Sequence, residues 1–146
     1  MKHLEVRIAY RFIKSGFERN QEFYQQPLIA KHRAFLNLSY QTHQNWNFDY
    51  TIQWTGEKLL PTLANSDGTL LNKYSSPYFI HHIQVSKNFN KKGSNAIYIG
   101  AENLFNMMQE NAIVNAQNPW AANFDASAVW APIFGTMWYM GFRWRL

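Results

Sequence analysis

The final stretch of the chain, residues 136–146, alternates between large apolar side chains and other residue types. Successive side chains of a β-strand point to opposite faces, so this alternation predicts a strand with one apolar face. A soluble protein could bury such a face in its core, and a transmembrane β-barrel would turn it toward lipid. The apolar members are Trp138, Met140, Phe142, Trp144 and Leu146.

Five earlier segments have the same two-residue period, at residues 4–12, 30–41, 46–55, 78–89 and 95–105. The third of these alternates most regularly and predicts a strand with two sharply different faces. Its apolar face consists of Trp46, Phe48, Tyr50, Ile52 and Trp54, and its polar face consists of Asn47, Asp49, Thr51, Gln53 and Thr55. The six predicted strands therefore make the chain an all-β protein.

Long and short connections alternate between these strands. Residues 14–27, 57–77 and 107–135 are predicted to be long loops, and residues 42–44 and 91–94 are predicted to be short turns. This order predicts an antiparallel up-and-down meander of six strands, with the short turns at one end and the long loops at the other.

Composition excludes several classes of protein. The chain has no cysteine, so it has neither disulfides nor a Cys-ligated metal. The net charge of +5 comes without a Lys/Arg cluster, so a nucleic acid is not an expected partner. The N-terminal residues mix charged with apolar types and do not form a secretory signal. No apolar run is as long as the ~20 residues of a transmembrane helix, so any membrane is crossed by strands.

The placement of aromatic residues favours the membrane. Trp46 and Trp54 lie at opposite ends of one apolar face, and Trp138 and Trp144 do so on the last strand. Aromatic girdles at both bilayer interfaces produce this pattern. The opposite faces are too polar for a dry core, because buried charges need partners. We therefore expect the following residues to face the lumen of a barrel: Arg7, Arg11, Arg33, Asp49, Gln53, Gln84, Glu102, Arg143 and Arg145.

Several short motifs, taken in order, resemble a known family. They are Pro-Leu-Ile-Ala-Lys-His-Arg-Ala at 27–34, the strand 95–100 with Glu-Asn-Leu-Phe-Asn at 102–106, Phe-Asp-Ala-Ser at 124–127, Ala-Pro-Ile at 131–133 and Trp-Tyr-Met-Gly-Phe-Arg at 138–143. Together they resemble the C-terminal barrel strands of TonB-dependent outer-membrane receptors, especially those of Bacteroidetes-type bacteria. One departure is Leu146, because such barrels usually end on Phe.

The resemblance implies that residues 1–146 are the C-terminal part of a receptor barrel of about 22 strands, without its plug and N-terminal strands. It implies uptake of a scarce nutrient across the Gram-negative outer membrane, such as an iron–siderophore complex, haem, cobalamin or an oligosaccharide. The expected partners are the outer-membrane lipid bilayer, the small-molecule nutrient, the barrel-assembly machinery, and the TonB system through the missing N-terminal part. We do not expect an enzyme.

Candidate catalytic and metal-binding residues have simpler explanations. His81 and His82 are adjacent in a strand and point to opposite faces, so they cannot share a metal ion. Asp49 and Glu102 fit a water-facing barrel wall better than a catalytic pair, because no nucleophile accompanies them. We therefore predict no catalytic, metal or cofactor site. The excess of positive charge on the polar faces fits contact with an acidic plug, or attraction of an anionic ligand such as a ferric chelate.

Two other functions are compatible with the alternation. One is a passive porin-like barrel without a plug, and the other is a soluble ligand-binding β-barrel. Dependence on detergent would separate the soluble barrel from the membrane barrels. The gene sequence upstream of Met1 would separate a receptor from a porin, since a plug and a TonB box should be encoded there.

Overall fold

Antiparallel β-structure dominates the computed structural model, which describes residues 4–61, 73–89, 95–109, 112–114, 118–120, 122 and 124–144. Eight strands follow one another: β1 Leu4–Phe12, β2 Gly16–Arg19, β3 Glu22–Gln25, β4 His32–Gln41, β5 Trp46–Thr55, β6 Tyr78–Asn88, β7 Ala96–Glu102 and β8 Met137–Arg143. Six of them form one sheet in the order β1-β4-β5-β6-β7-β8, and β2 and β3 form a separate sheet.

Every neighbouring pair in the large sheet is antiparallel. The strands follow chain order once the β2–β3 hairpin is set aside, so the predicted all-β class and six-stranded meander are confirmed.

The described residues contain no helix that is long and apolar enough to cross a membrane.

A hairpin occupies the segment 14–27, and the prediction of a plain loop there was wrong. Strands β2 and β3 pair antiparallel, with the rings of Phe17 and Tyr24 stacked at 5.5 Å. Asn20 and Gln21 form the turn with φ angles of 51° and 64°. Positive φ at both central residues matches the twist of a two-residue hairpin. The strands have only four residues each and are largely polar, so they lack the longer apolar alternation that reveals the other strands.

The strands of the large sheet begin and end close to the predicted positions, but several are shorter than predicted. Strand β4 starts at His32 rather than residue 30, because Ala30 instead forms an isolated bridge with Lys58. Strand β7 ends at Glu102 rather than residue 105, because Asn103 adopts a φ of 49° and begins a turn. Strands β6 and β8 end at Asn88 and Arg143, and residues 90–94 and 145–146 lie outside the described residues.

The strand register divides the side chains of the large sheet between two faces. Directly opposed residues share a face, and Leu38 opposes both Val6 and Tyr50. We call this side the apolar face; it carries Leu4, Val6, Ile8, Tyr10, Phe12, His32, Ala34, Leu36, Leu38, Tyr40, Trp46, Phe48, Tyr50, Ile52, Trp54, Phe79, His81, Ile83, Val85, Lys87, Ile97, Ile99, Ala101, Trp138, Met140 and Phe142. The intervening residues form the polar face.

Strands β1 and β8 lie at the two edges of the large sheet. Within the part of the chain that the structure describes, neither edge strand pairs with another strand on its outer side, so the sheet is open. An open edge carries unpaired N–H and C=O groups that need water or another strand.

The buried apolar cluster lies among the long connections rather than on the large sheet. We call it the loop core; it consists of Leu60, Ala112, Val114, Trp130 and Ala131, with Leu28 and Tyr78 packed against it. Buried Lys58 donates a hydrogen bond from Nζ to the carbonyl oxygen of Trp130, which ties two of the long connections together.

Candidate functional site

The apolar face is largely uncovered by protein. Ile8, Met140 and Phe142 each expose about three quarters of their surface, at 76%, 76% and 77%. Val6 and Phe12 also expose more than half of theirs, at 51% and 59%. A contiguous apolar surface of this extent on a soluble monomer marks an interaction site or an aggregation hazard. The face is therefore a candidate surface for contact with a partner or an apolar medium outside the described chain.

Aromatic residues at the loop end of the apolar face follow a slanted line across the sheet. Directly opposed residues of neighbouring strands form a row across the sheet. Trp54 lies in the same row as Tyr10, and Phe12 is two residues farther toward the loops. Trp138 lies in the row of Tyr50, four residues from Trp54 toward the turns. Between Phe12 and Trp138 the line moves six residues along the strands toward the turn end while it crosses five strand spacings.

This slope can be converted to an angle. At ~3.3 Å per residue and ~4.8 Å between strands, the fall is about 20 Å over about 24 Å. The angle is about 40°, and the strands of barrels tilt by about 35–45° from the barrel axis. In a barrel tilted to that degree, Phe12, Trp54 and Trp138 would lie at one depth.

Two histidines on the apolar face bond to tyrosines of neighbouring strands. The hydroxyl of Tyr10 lies 2.6 Å from Nδ1 of His32, and that of Tyr50 lies 2.7 Å from Nδ1 of His81. His81 also contacts the ring of Phe105 edge-on, with centroids 4.8 Å apart. A polar group in an apolar medium needs a hydrogen-bond partner, so these pairs make the two histidines compatible with such a medium.

A lysine and a tryptophan meet at the turn end of the apolar face. Lys87 opposes Trp46 across β5 and β6, and its Nζ lies 5.0 Å from the centroid of the indole ring. The same Nζ donates a hydrogen bond to the carbonyl oxygen of Gln44 in the β4–β5 turn. Lys87 thus directs its charge toward the turn at the end of the apolar face, as long basic side chains at membrane interfaces do.

The polar face brings together eight of the nine residues that the sequence predicts to face a lumen. Their common face is a consequence of the register, and its lumenal orientation stays a prediction. Arg145 lies outside the described residues. The eight are Arg7, Arg11, Arg33, Asp49, Gln53, Gln84, Glu102 and Arg143.

The arginines of the polar face have unequal surroundings. Arg7 donates from Nε to Oε1 of Glu5 at 2.6 Å, so its charge is partnered. Arg11 and Arg33 are directly opposed across β1 and β4. Among the described residues, no carboxylate forms an ion pair with either of them. Like charges directly opposite each other on neighbouring strands destabilise a sheet.

A concavity of about 760 Å³ lies beside this arginine pair on the polar face. Its lining includes Arg7, Arg11, Arg33, Phe35, Asp49 and Gln53. Small-molecule sites commonly have volumes of about 300–1,000 Å³ and combine apolar surface with a few polar groups. The concavity therefore has the size and mixed lining of a small-molecule site.

A smaller cavity of about 190 Å³ lies farther across the polar face, beside Asp49, His82, Gln84 and Tyr139. Tyr139 donates from its hydroxyl to Oε1 of Gln84 at 3.1 Å. Nε2 of His82 is buried and has no hydrogen-bond partner among the described residues. In the sequence His82 is notable only as a neighbour of His81, because the β5–β6 register that places it near Asp49 cannot be read from alternation.

Two reciprocal tyrosine–glycine pairs join β7 and β8. Tyr98 opposes Gly141, and Tyr139 opposes Gly100. Each tyrosine ring lies over the opposite glycine, and a Cβ on Gly141 would come within 2.6 Å of Cζ of Tyr98. These pairs were not predicted from the sequence, although a glycine and a tyrosine at mirrored positions of adjacent strands are a recognisable signal.

No metal site is formed by the residues that the structure describes, where no group of three or more potential His, Cys, Asp or Glu ligands occurs. His81 and His82 lie on opposite faces, as predicted. In the third long connection, the side-chain and backbone hydrogen bonds from Ser127 lower the pKa of Asp125, whose Oδ1 accepts the Ser127 amide N–H at 2.8 Å. This bond forms a local turn rather than a catalytic arrangement.

No protein-family model, curated protein or solved structure matches the chain.

Proposed function

We propose that this chain forms the C-terminal barrel strands of a TonB-dependent receptor in the outer membrane of a Gram-negative bacterium. The receptor imports a scarce nutrient, an iron–siderophore complex or a similar small molecule, with energy delivered by the TonB system to an N-terminal plug. The plug and the remaining strands are contributed by sequence other than residues 1–146. The barrel-assembly machinery inserts the complete barrel.

The observation that carries this proposal is the exposed apolar face with its slanted line of aromatic residues. Trp138 is 71% exposed, and Phe12 and Trp54 lie on the same line at about the tilt of barrel strands. Lipid is the medium in which such a face is stable, and aromatic rings concentrate at its interfaces with water. The tyrosine–histidine pairs support the same orientation, because they satisfy the polar groups on this face.

The polar face supports a water-filled interior on the other side of the wall. Its charged side chains, Arg11, Arg33, Asp49 and Arg143 among them, require water or polar partners. The open edges at β1 and β8 support membership of a larger barrel, since hydrocarbon cannot satisfy unpaired backbone groups. The choice of a receptor over a passive porin rests on the ordered motifs of the sequence.

Surface labelling tests the topology. The long connections should be extracellular, and residues 42–44 and 90–94 should be periplasmic. Because the chain has no cysteine, Asp67→Cys and Gly93→Cys each provide a single reactive site, although both positions lie outside the described residues. A membrane-impermeant thiol reagent applied to intact cells should label position 67 and spare position 93. The reverse pattern would contradict the proposed orientation.

Expression of residues 1–146 alone tests the dependence on further strands. The exposed apolar face should make this polypeptide aggregate in water and require detergent for dispersion. With two open edges it should not insert as a stable monomer, since single-chain bacterial barrels begin at about eight strands. A cooperative, detergent-free monomer in solution would instead favour the soluble ligand-binding β-barrel.

A further inference from the structure

Arg11 and Arg33 form a pair of like charges that no opposite charge among the described residues neutralises. The two residues are directly opposed on β1 and β4, both are exposed, and neither has an ion-pair partner among the described residues. Directly opposed like charges weaken strand pairing. Unfavourable interactions of this kind are expected at functional sites, where a bound ligand compensates the repulsion.

The charges around the pair leave it electropositive. The concavity beside it is lined by three arginines and one carboxylate, that of Asp49, which gives a formal charge of 3 − 1 = +2 for the lining. Arg7 is already partnered by Glu5, so the unpartnered charge lies at Arg11 and Arg33. A concave surface with one dominant sign of charge concentrates the opposite ion.

The chemistry of the side chains narrows the class of ligand. Each guanidinium offers a planar fork of N–H donors that matches the two oxygens of a carboxylate or phosphate. Thr55 lies in the same row as the pair, and Gln53 lines the concavity, so neutral hydrogen-bonding groups are available beside the charges. Phe35 adds an apolar surface.

We propose that Arg11 and Arg33 form a subsite for the carboxylate or phosphate group of a small anionic solute. This inference rests on the proposed function and specifies the transported solute as one that bears an oxyanion. The pair lies at the end of the polar face that adjoins the long connections, so the solute reaches it from the loop side of the barrel. The volume of the concavity, about 760 Å³, suits a small molecule rather than a macromolecular surface.

Inorganic phosphate is the probe for this subsite. The complete protein that carries this chain is purified from outer membranes in detergent, and phosphate binding is measured by equilibrium dialysis at constant ionic strength. Arg11→Gln and Arg33→Gln should each raise the Kd for phosphate by about ten-fold or more, because each removes charge-assisted hydrogen bonds to the anion. Arg33→Lys keeps the charge but loses the fork, and it should fall between Arg33→Gln and the wild type.

Arg143→Gln is the matched control, because Arg143 lies on the same face, at the turn end and four strands from β4. It removes the same charge and should leave the phosphate Kd within about two-fold, since salt screens distant exposed charges. Equal effects of Arg33→Gln and Arg143→Gln, or no effect of either, would overturn the subsite.

Thermal unfolding identifies the source of the oxyanion. If the oxyanion belongs to a soluble solute, phosphate should stabilise the wild type but not the two glutamine variants. Without phosphate, both variants should be at least as stable as the wild type. An acidic side chain elsewhere in the same protein predicts the opposite: both variants are destabilised, and phosphate has no effect. That result overturns the inference. Recovery of the protein from the outer-membrane fraction is scored separately, so a failure of the proposed function is distinguishable.

Discussion

Two tryptophans eight residues apart in sequence have opposite surroundings. Trp130 is 3% exposed in the loop core, where it packs with Leu60 and Val114. Trp138 is 71% exposed on the apolar face of β8. The loop core therefore buries its apolar side chains against one another. Other apolar residues of the connections stay exposed, among them Trp120 at 95% and Phe134 at 69%.

The difference teaches that close apolar packing is local to the loop core. The connections outside it also expose large apolar residues, including Phe17, Phe105 and Phe134. Within the large sheet the exposed apolar residues follow the register and lie mostly on the apolar face, with Phe35 and Met137 as exceptions on the polar face. The proposed contact with lipid thus explains the ordering of apolar residues on one face of the sheet rather than their exposure alone.

The largest expected effect separates the two tryptophans directly. Trp130→Ala should cost about 3–5 kcal/mol of stability, because it leaves a cavity in the loop core. Trp138→Ala creates no cavity among protein atoms and should cost clearly less. Urea unfolding of the complete protein in phospholipid vesicles measures both variants, with protease resistance of the loops as a local readout. Equal costs would remove the distinction between the regions.

A charge placed on each face of β5 tests the proposed lipid exposure. Ile52→Arg should cost roughly 2–4 kcal/mol, because it places a charge in hydrocarbon. Thr51→Arg, the matched control one residue earlier, faces the polar side and should cost much less. The same unfolding assay in vesicles compares the two variants. If both positions tolerate arginine equally well, the apolar face does not face lipid.

The glycines of the last hairpin give a smaller effect. Gly100→Ala should cost about 1–3 kcal/mol through overpacking, because the new Cβ would meet the ring of Tyr139 and lie 2.8 Å from the carbonyl oxygen of Ile83. At Gly141 the three atoms nearest to a new Cβ all belong to the movable side chain of Tyr98, so Gly141→Ala should cost less. Unfolding midpoints rank the two variants, and the reverse ranking would argue against the packing described for this hairpin.

The smallest effect concerns a polar group on the apolar face. Tyr10→Phe removes the hydrogen bond to His32 and should cost about 0.5–1.5 kcal/mol in vesicles. Tyr40→Phe is the control, because Tyr40 lies on the same face and has no side-chain hydrogen bond among the described residues. A difference between the variants would support a hydrogen bond in an apolar medium. Identical stabilities would contradict a stabilising Tyr10–His32 hydrogen bond in an apolar medium.

The sequence predicts most of the sheet because its strands are long and strictly alternating. Strand β5 matches the prediction at both ends, with Trp46 and Thr55 as its limits. The β2–β3 hairpin was not predicted, because four-residue strands built around Phe17 and Tyr24 provide too little alternation. The loop core was not predicted either, since its members come from connections without a regular period.

The candidate site was predictable in composition but not in arrangement. Alternation assigns Arg11 and Arg33 each to the polar side of its own strand. It does not reveal that they are directly opposed, because the register depends on how β1 and β4 pair. The same limit hid the proximity of His82 to Asp49 and the bond between Tyr139 and Gln84.

The tyrosine–glycine pairs of β7 and β8 provide a check on errors that the apolar pattern cannot detect. A slip by one residue would exchange the two faces, but a slip by two would preserve them. One such slip would set Tyr98 directly against Tyr139, and the other would set Gly100 against Gly141 and Tyr139 against Glu102. Only the native register places each tyrosine ring over a glycine. These pairs therefore distinguish the native register from registers shifted by two residues.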